Sequence, residues 1–172
     1  MMNYTIKPLA GFTDKIGELA FMLEHSRSVT LNDVKELQRS ELDYITDAGG
    51  NSIGALLAHI AAIEKVHQLI SFEDRDFTKE EWEQWGPAIE LGDKARTEIT
   101  GNALEEYIKQ LEQIRSATFD KLRSKDDRWL YEERYWPNGV PYNNYYLWFH
   151  VMEDEINHRG QIRAIKRLLG KG

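Results

Sequence analysis

Residues 147–169 read LWFHVMEDEINHRGQIRAIKRLL. Steps of four and three along this stretch pick out Leu147, Val151, Asp154, His158, Ile162, Ile165 and Leu169. That spacing places all seven on one side of an α-helix. Five are aliphatic, so the side faces a core, yet its middle carries a carboxylate and an imidazole. An ionised group in an apolar seam costs on the order of several kcal/mol unless it is paired or bound to a metal. Asp154 and His158 are four apart and leave the helix together. This helix alone leaves two readings open: a buried Asp–His hydrogen bond, or two ligands of a cation.

Three more helical periods surround it. Residues 52–72 carry Ile53, Leu56, Leu57, Ile60, Ile63, Val66 and Ile70, behind an Asn51-Ser52 start. Residues 12–26 carry Phe12, Ile16, Leu19 and Leu23, with Thr13 or Asp14 as cap. Residues 102–123 carry Leu104, Ile108, Leu111, Ile114, Thr118 and Leu122, with Asn102 as cap. The opening stretch extends to 143–169, entered from Pro141 and closed by Gly170. Start and stop signals fall where helices need them. The one β-like patch, WLYEERYW (129–136), ends in a Pro-Asn-Gly turn. Two long connections, 27–51 and 73–101, are each expected to hold a short helix, in LNDVKELQRSELDYI and TKEEWEQW. The expectation is an all-α four-helix bundle with short extra helices. No repeat or flexible linker divides the 172 residues, so a single domain over 1–172 is expected.

Acidic residues outnumber basic ones, 29 to 22, for a net charge of −7. That balance argues against nucleic acid as a partner, since binding to phosphates leans on Lys and Arg. The absence of cysteine excludes disulfides, thiolate ligands and a cysteine nucleophile, and fits a reducing compartment. No N-terminal run has signal-peptide character, and no segment reads as about 18 consecutive apolar residues. A soluble, cytoplasmic chain without a membrane partner is expected.

In LLAHIAAIEKVHQ, His59 lies in the seam between Leu56 and Ile63. A second helix thus also aims an imidazole at the core. Two imidazoles and a carboxylate suit zinc, nickel, iron or manganese and leave positions open for water or substrate. His150, one turn before Asp154, reads as a supporting donor or a stacked ring. His67 lies two turns from His59, too far to share an ion, and His25 reads as the end of the first helix. Glu153 and Glu155 point away from the seam and read as solvated.

The segments SIGALLAHIAAIE (52–64) and HVMEDEINHRGQI (150–162) resemble the DinB/YfiT-like superfamily of metal-binding four-helix bundles. The resemblance covers essentially the whole chain, and HRGQI is its most specific part. It implies an up-down-down-up bundle, a homodimer, and a divalent metal held by one histidine of the second long helix and two residues of the last. Carried over by position, His59 and His158 match the family's histidine ligands. Position 154 departs from the pattern, because many relatives have histidine there. A carboxylate is similar to the two-histidine, one-glutamate site of mycothiol-dependent maleylpyruvate isomerase and its relatives. Asp154 is one methylene shorter, so direct ligation and ligation through a held water both stay open.

The resemblance implies no single reaction. The first expectation is S-transfer from a low-molecular-weight thiol such as bacillithiol to an electrophilic small molecule, with the thiol's pKa lowered by the cation. Arg159 would contact the acidic thiol cosubstrate. The alternatives are metal-assisted hydrolysis, which the missing H-E-x-x-H motif makes a poor match to peptidases, and a non-catalytic metal-stabilised binding protein. In the last case RYWPNGVPYNNYYLWF (134–149) would form a ligand cleft or dimer face.

Overall fold

Four long helices carry the architecture of the computed structural model, which describes residues 4–171: α1 (Asp14–Val34), α3 (Ile53–Gln68), α6 (Leu104–Leu122) and α7 (Asn144–Leu168). Their starts follow from side-chain caps. Ser52 Oγ accepts the Ala55 N–H at 3.1 Å, and Asn143 Oδ1 accepts the Tyr146 N–H at 2.8 Å, each satisfying an otherwise orphaned first-turn donor. Helix α3 runs on through one π turn, Leu69–Glu73, and stops at Asp74 in the left-handed region, φ 55°.

Side-chain pairings fix the directions. Ser26 meets Arg159 and Asp33 meets Arg163 and Lys166, so α1 and α7 run parallel. Tyr107 abuts Gly54 while Thr118 meets Gln68, so α3 and α6 run parallel. His59 meets Asp154 and His67 meets His150, so α3 opposes α7. The bundle is therefore up-down-down-up. Joining the parallel pair α3 and α6 requires a long crossover, which holds α4 (Lys79–Glu90) and α5 (Gly92–Glu98).

Several boundaries differ from the sequence expectation. Helix α1 continues eight residues past 26, because its buried stripe goes on through Arg27, Thr30 and Val34; a charged residue on the stripe had ended the apolar pattern. His25 consequently lies within the helix, not at its end. The short helix expected in 31–45 reduces to α2 (Arg39–Leu42). Helix α4 forms at TKEEWEQW behind Thr78, whose Oγ1 accepts the Glu81 N–H while Glu81 accepts the Thr78 N–H; α5 was not anticipated. Asn102 does not cap α6. Its amide donates to the Tyr107 hydroxyl, and Glu106 accepts the Ala103 N–H instead. The patch at 129–136 splits into a 3₁₀ turn, Asp127–Tyr131, and strand β1 (Glu133–Tyr135). The strand pairs antiparallel with β2 (Pro141–Asn143) across the Pro-Asn-Gly turn.

The core has two apolar clusters. One joins Val34, Leu42, Ile53, Leu56, Leu57, Leu104, Leu111, Ile162 and Ile165. The other joins Ile16, Leu19, Leu23, Leu122, Trp129, Leu130, Trp148 and Val151. Helix α3 is the central element, with neighbours in α4, α6 and α7. Together with its π turn, residues 53–73, it has the length and composition of a membrane span, which the sequence reading did not credit. In the bundle, 78% of its most apolar window is buried.

Candidate metal centre

The seam of α7 and the seam of α3 cross where their polar residues lie. His59, Asp154 and His158 each offer a ligand atom, and these atoms lie within 4.8 Å of one another. Asp154 Oδ1 is 3.5 Å from His59 Nε2 and 3.3 Å from His158 Nε2. Ligands bound tetrahedrally at about 2.0–2.1 Å stand roughly 3.3–3.4 Å apart, so both separations fit the edge of a metal tetrahedron. The two imidazoles meet edge to face, with centroids 4.6 Å apart.

Hydrogen bonding fixes which nitrogen of His59 is free. Its Nδ1 lies 2.7 Å from the Ala88 carbonyl, in the last turns of α4. A carbonyl only accepts, so Nδ1 carries the proton and a neutral ring presents its Nε2 lone pair to the Asp154 carboxylate. Two lone pairs in that position repel unless a cation, a proton or a metal, lies between them. A histidine tied through its far nitrogen to a backbone carbonyl is the usual support of a metal ligand. Asp154 Oδ2 and His158 Nδ1 are buried without a protein partner. Burial pushes the Asp154 carboxyl up, but the facing imidazoles of His158 and His59 outweigh it and hold the group well below the usual carboxylate range. The donor set, the free lone pairs and the orphaned oxygen fit a divalent cation with open coordination positions.

A second polar cluster lies beside the first and was missed in the sequence. Glu155 is not solvated, as its position had suggested, but fully buried. It joins Arg27, Glu64 and Arg115, so each long helix contributes one charged residue. Arg27 bonds Glu155 at 3.0 Å and Glu64 at 3.0 Å; Arg115 bonds Glu64 at 2.7 and 3.0 Å and reaches Glu155 at 3.5 Å. The spare donors go to the carbonyls of Leu111 and Leu23, and Thr118 donates to Glu64. Burial pushes the Glu64 carboxyl up, but the Arg115 and Arg27 guanidiniums pull it down to about 2. This layer separates the two apolar clusters: Ile16–Leu23 and Val34 flank Arg27, and Val151 and Ile162 flank Glu155.

The other candidates fall outside the cluster. His67 is buried, with Nδ1 2.7 Å from the Ile63 carbonyl, and burial lowers its pKa to about 4. His150 lies 5.5 Å from it, ring to ring, and contacts Glu153 at 3.3 Å. Arg159, expected beside a thiol cosubstrate, turns instead toward α1. Its Nη1 donates to the Ser26 carbonyl at 3.0 Å and lies 3.2 Å from the Ser26 hydroxyl. One residue along α7 is about 100° of rotation, which carries Arg159 off the face that His158 shares with α3.

Residues 18–170 match the model of the mycothiol-S-transferase family. No curated protein matches the chain. Among solved structures, a DinB-like protein from Bacillus cereus is 14% identical, with TM-score 0.67 over 89% of this chain and 91% of its own. A protein from Streptococcus pneumoniae is 16% identical, with TM-score 0.68 over 97% and 94%. YfiT from Bacillus subtilis, described as a probable metal-dependent hydrolase with an unusual four-helix bundle topology, is 16% identical, with TM-score 0.62 over 96% and 94%. These likenesses show the DinB/YfiT fold, and the chain belongs to the mycothiol-S-transferase family.

Proposed function

We propose that this member of the mycothiol-S-transferase family holds a divalent cation through His59, Asp154 and His158 and joins a low-molecular-weight thiol, through a new bond from its sulfur, to an electrophilic small molecule, with the thiol proton and the electrophile's leaving group released. The observation that carries the reading is the set of unshared lone pairs converging from two helices. When bound, the cation supplies a Lewis acid that lowers the pKa of a coordinated thiol. The chain's own residues hold and tune that position. Ala88 fixes the tautomer and ring orientation of His59. The carboxylate of Asp154 offsets part of the cation's charge. The absence of cysteine from the chain agrees with a nucleophile that arrives on the cosubstrate.

The test is metal analysis of the purified protein and of His158→Ala, followed by turnover of an electrophile such as monochlorobimane with and without mycothiol or bacillithiol. Metal in the wild type alone, with thiol-dependent turnover, supports the reading. Thiol-independent cleavage of an ester or amide would replace it with metal-assisted hydrolysis. Equal metal content in both proteins would remove the site. The assembly we propose is a cytoplasmic homodimer, and sedimentation showing only monomer at micromolar concentration refutes the dimer.

A further inference from the structure

At the hairpin end of the bundle, a cavity of about 310 Å³ is lined by Tyr131, Glu133, Pro141, Tyr142, Asn143 and Tyr146. Three of the six are tyrosines, one is a carboxylate and none is basic. We propose that this cavity binds an organic ammonium ion, with the Tyr131 and Tyr146 rings supplying cation–π contacts and Glu133 the opposing charge, while Tyr142, paired with Arg134 on the other face of the hairpin, contributes only to the wall.

The rings are buttressed. Tyr131 meets Tyr145 edge to face at 5.7 Å and 84°. Tyr142 stacks on Trp136 at 4.0 Å, and Tyr146 stacks on His150 at 6.2 Å and 6°. Tyr131 and Tyr146 are nonetheless 56% and 48% exposed. An exposed tyrosine held by a second ring loses little freedom when a ligand arrives, which favours binding. The backbone around the cavity is fixed as well. Strands β1 and β2 pair Glu133 with Asn143, and Asn143 caps α7 through its Oδ1, which leaves its amide N–H₂ outside that bond. The Glu133 carboxylate accepts a hydrogen bond from the Tyr135 hydroxyl, which leaves its other oxygen lone pairs for a second partner. Aromatic faces beside a carboxylate select a cation with an apolar shell, because the ring quadrupole attracts charge while the methyl groups pack. A hydrated metal ion gains nothing from the rings. The net charge of −7 attracts the same class of ligand. The proposal does not depend on the metal centre.

The experiment is a calorimetric titration of the full chain with choline chloride, and in parallel with 3,3-dimethylbutan-1-ol, the uncharged analogue of the same shape. Choline is expected to saturate one site, with the neutral analogue about tenfold weaker or worse. Tyr131→Leu and Tyr146→Leu should each weaken choline about two- to fivefold, and Glu133→Gln should weaken it as well. Tyr131 lies outside the bundle core, so its variant keeps the test valid if Tyr146→Leu misfolds; unchanged far-UV circular dichroism and metal content identify a folded variant. Equal affinity for the neutral analogue, no saturable choline binding, or choline affinity unchanged in all three variants overturns the proposal. A second arm separates two sources of the group, both of which support it. Pelleting with phosphatidylcholine but not phosphatidylglycerol vesicles assigns a lipid headgroup, and binding of soluble choline without pelleting assigns a free small molecule.

Discussion

Two polar islands interrupt the core of this bundle, and consecutive residues of α7 belong to different ones. Glu155 enters a closed island, in which two guanidiniums face two carboxylates and the remaining donors reach the carbonyls of Leu23 and Leu111. Asp154 enters an open one, in which two imidazoles share a single carboxylate and one oxygen of that carboxylate has no protein partner. Both are costly to bury. The closed island balances charge and hydrogen bonds within the protein, so it has nothing left to offer a ligand. The open island leaves Asp154 Oδ2 and His158 Nδ1 without a protein partner. Buried polarity therefore marks a binding site only where the protein leaves its own valences unmet.

The largest expected effect belongs to the closed island. Glu64→Gln leaves two buried guanidiniums facing one carboxylate and should lower unfolding free energy by about 3–5 kcal/mol in a urea titration. Pairing it with Arg115→Met should restore part of that loss, since removing both partners removes the unpaired charge. A loss no greater than that of a surface substitution would abolish the distinction between the islands.

A pH titration sharpens it. His67 is influenced by Asp154 of the open island and Glu64 of the closed one. Its folded pKa, about 4, lies below the ordinary 6.5. Between these values the unfolded chain binds more protons, so His67's contribution is fully present above pH 6.5 and is lost as pH falls toward 4. The shift corresponds to about 3 kcal/mol, and His67→Gln should flatten stability across that window. Glu64, ordinarily near 4.5 and here about 2, contributes above pH 4.5 and loses its contribution only below that value. Urea midpoints measured from pH 7 to 3 should therefore fall in two stages in the wild type and in one stage in His67→Gln.

Metal loading tests the open island directly. Zn²⁺ at a hundred times its dissociation constant should stabilise the wild type by about 2.7 kcal/mol and leave His158→Ala unaffected in thermal unfolding. The smallest effect is expected for Asp154→Asn, which keeps an oxygen donor but loses the charge. Calorimetry should show metal affinity about tenfold weaker, whereas a loss as large as that of His158→Ala would make the carboxylate an equal of the imidazoles.

The open island was legible in the sequence because Asp154, His158 and His59 break otherwise aliphatic seams at positions where Leu147, Ile162, Leu56 and Ile63 set the pattern. The closed island was not, although its stripes exist. Helix α7 packs against both α1 and α3, so it has two buried faces; Val151 and Ile162 lie on the border they share, and Trp148 and Glu155 belong to the second alone. Following one seam hides the other. Arg27 hid itself differently, by ending the apolar period of α1 where the helix does not end. Charges that partner one another across four helices leave no local signal, because each partner is remote in sequence: Arg27 and Glu155 are 128 residues apart. The direction of Arg159 was equally out of reach, since one helical step decides which neighbour a side chain meets.

The closed layer takes one residue from every long helix, and this bears on how the chain is made. As α1, α3 and α6 leave the ribosome they bring Arg27, Glu64 and Arg115, two cations and one anion. Burying that set strands a guanidinium, so a three-helix intermediate cannot close around it without a penalty of several kcal/mol, on the order of 3–5. Neutrality arrives with Glu155, in the final fifth of the chain. Synthesis must be nearly complete before the middle of the molecule can dry, and a nascent chain arrested before α7 stays open to solvent and to chaperones.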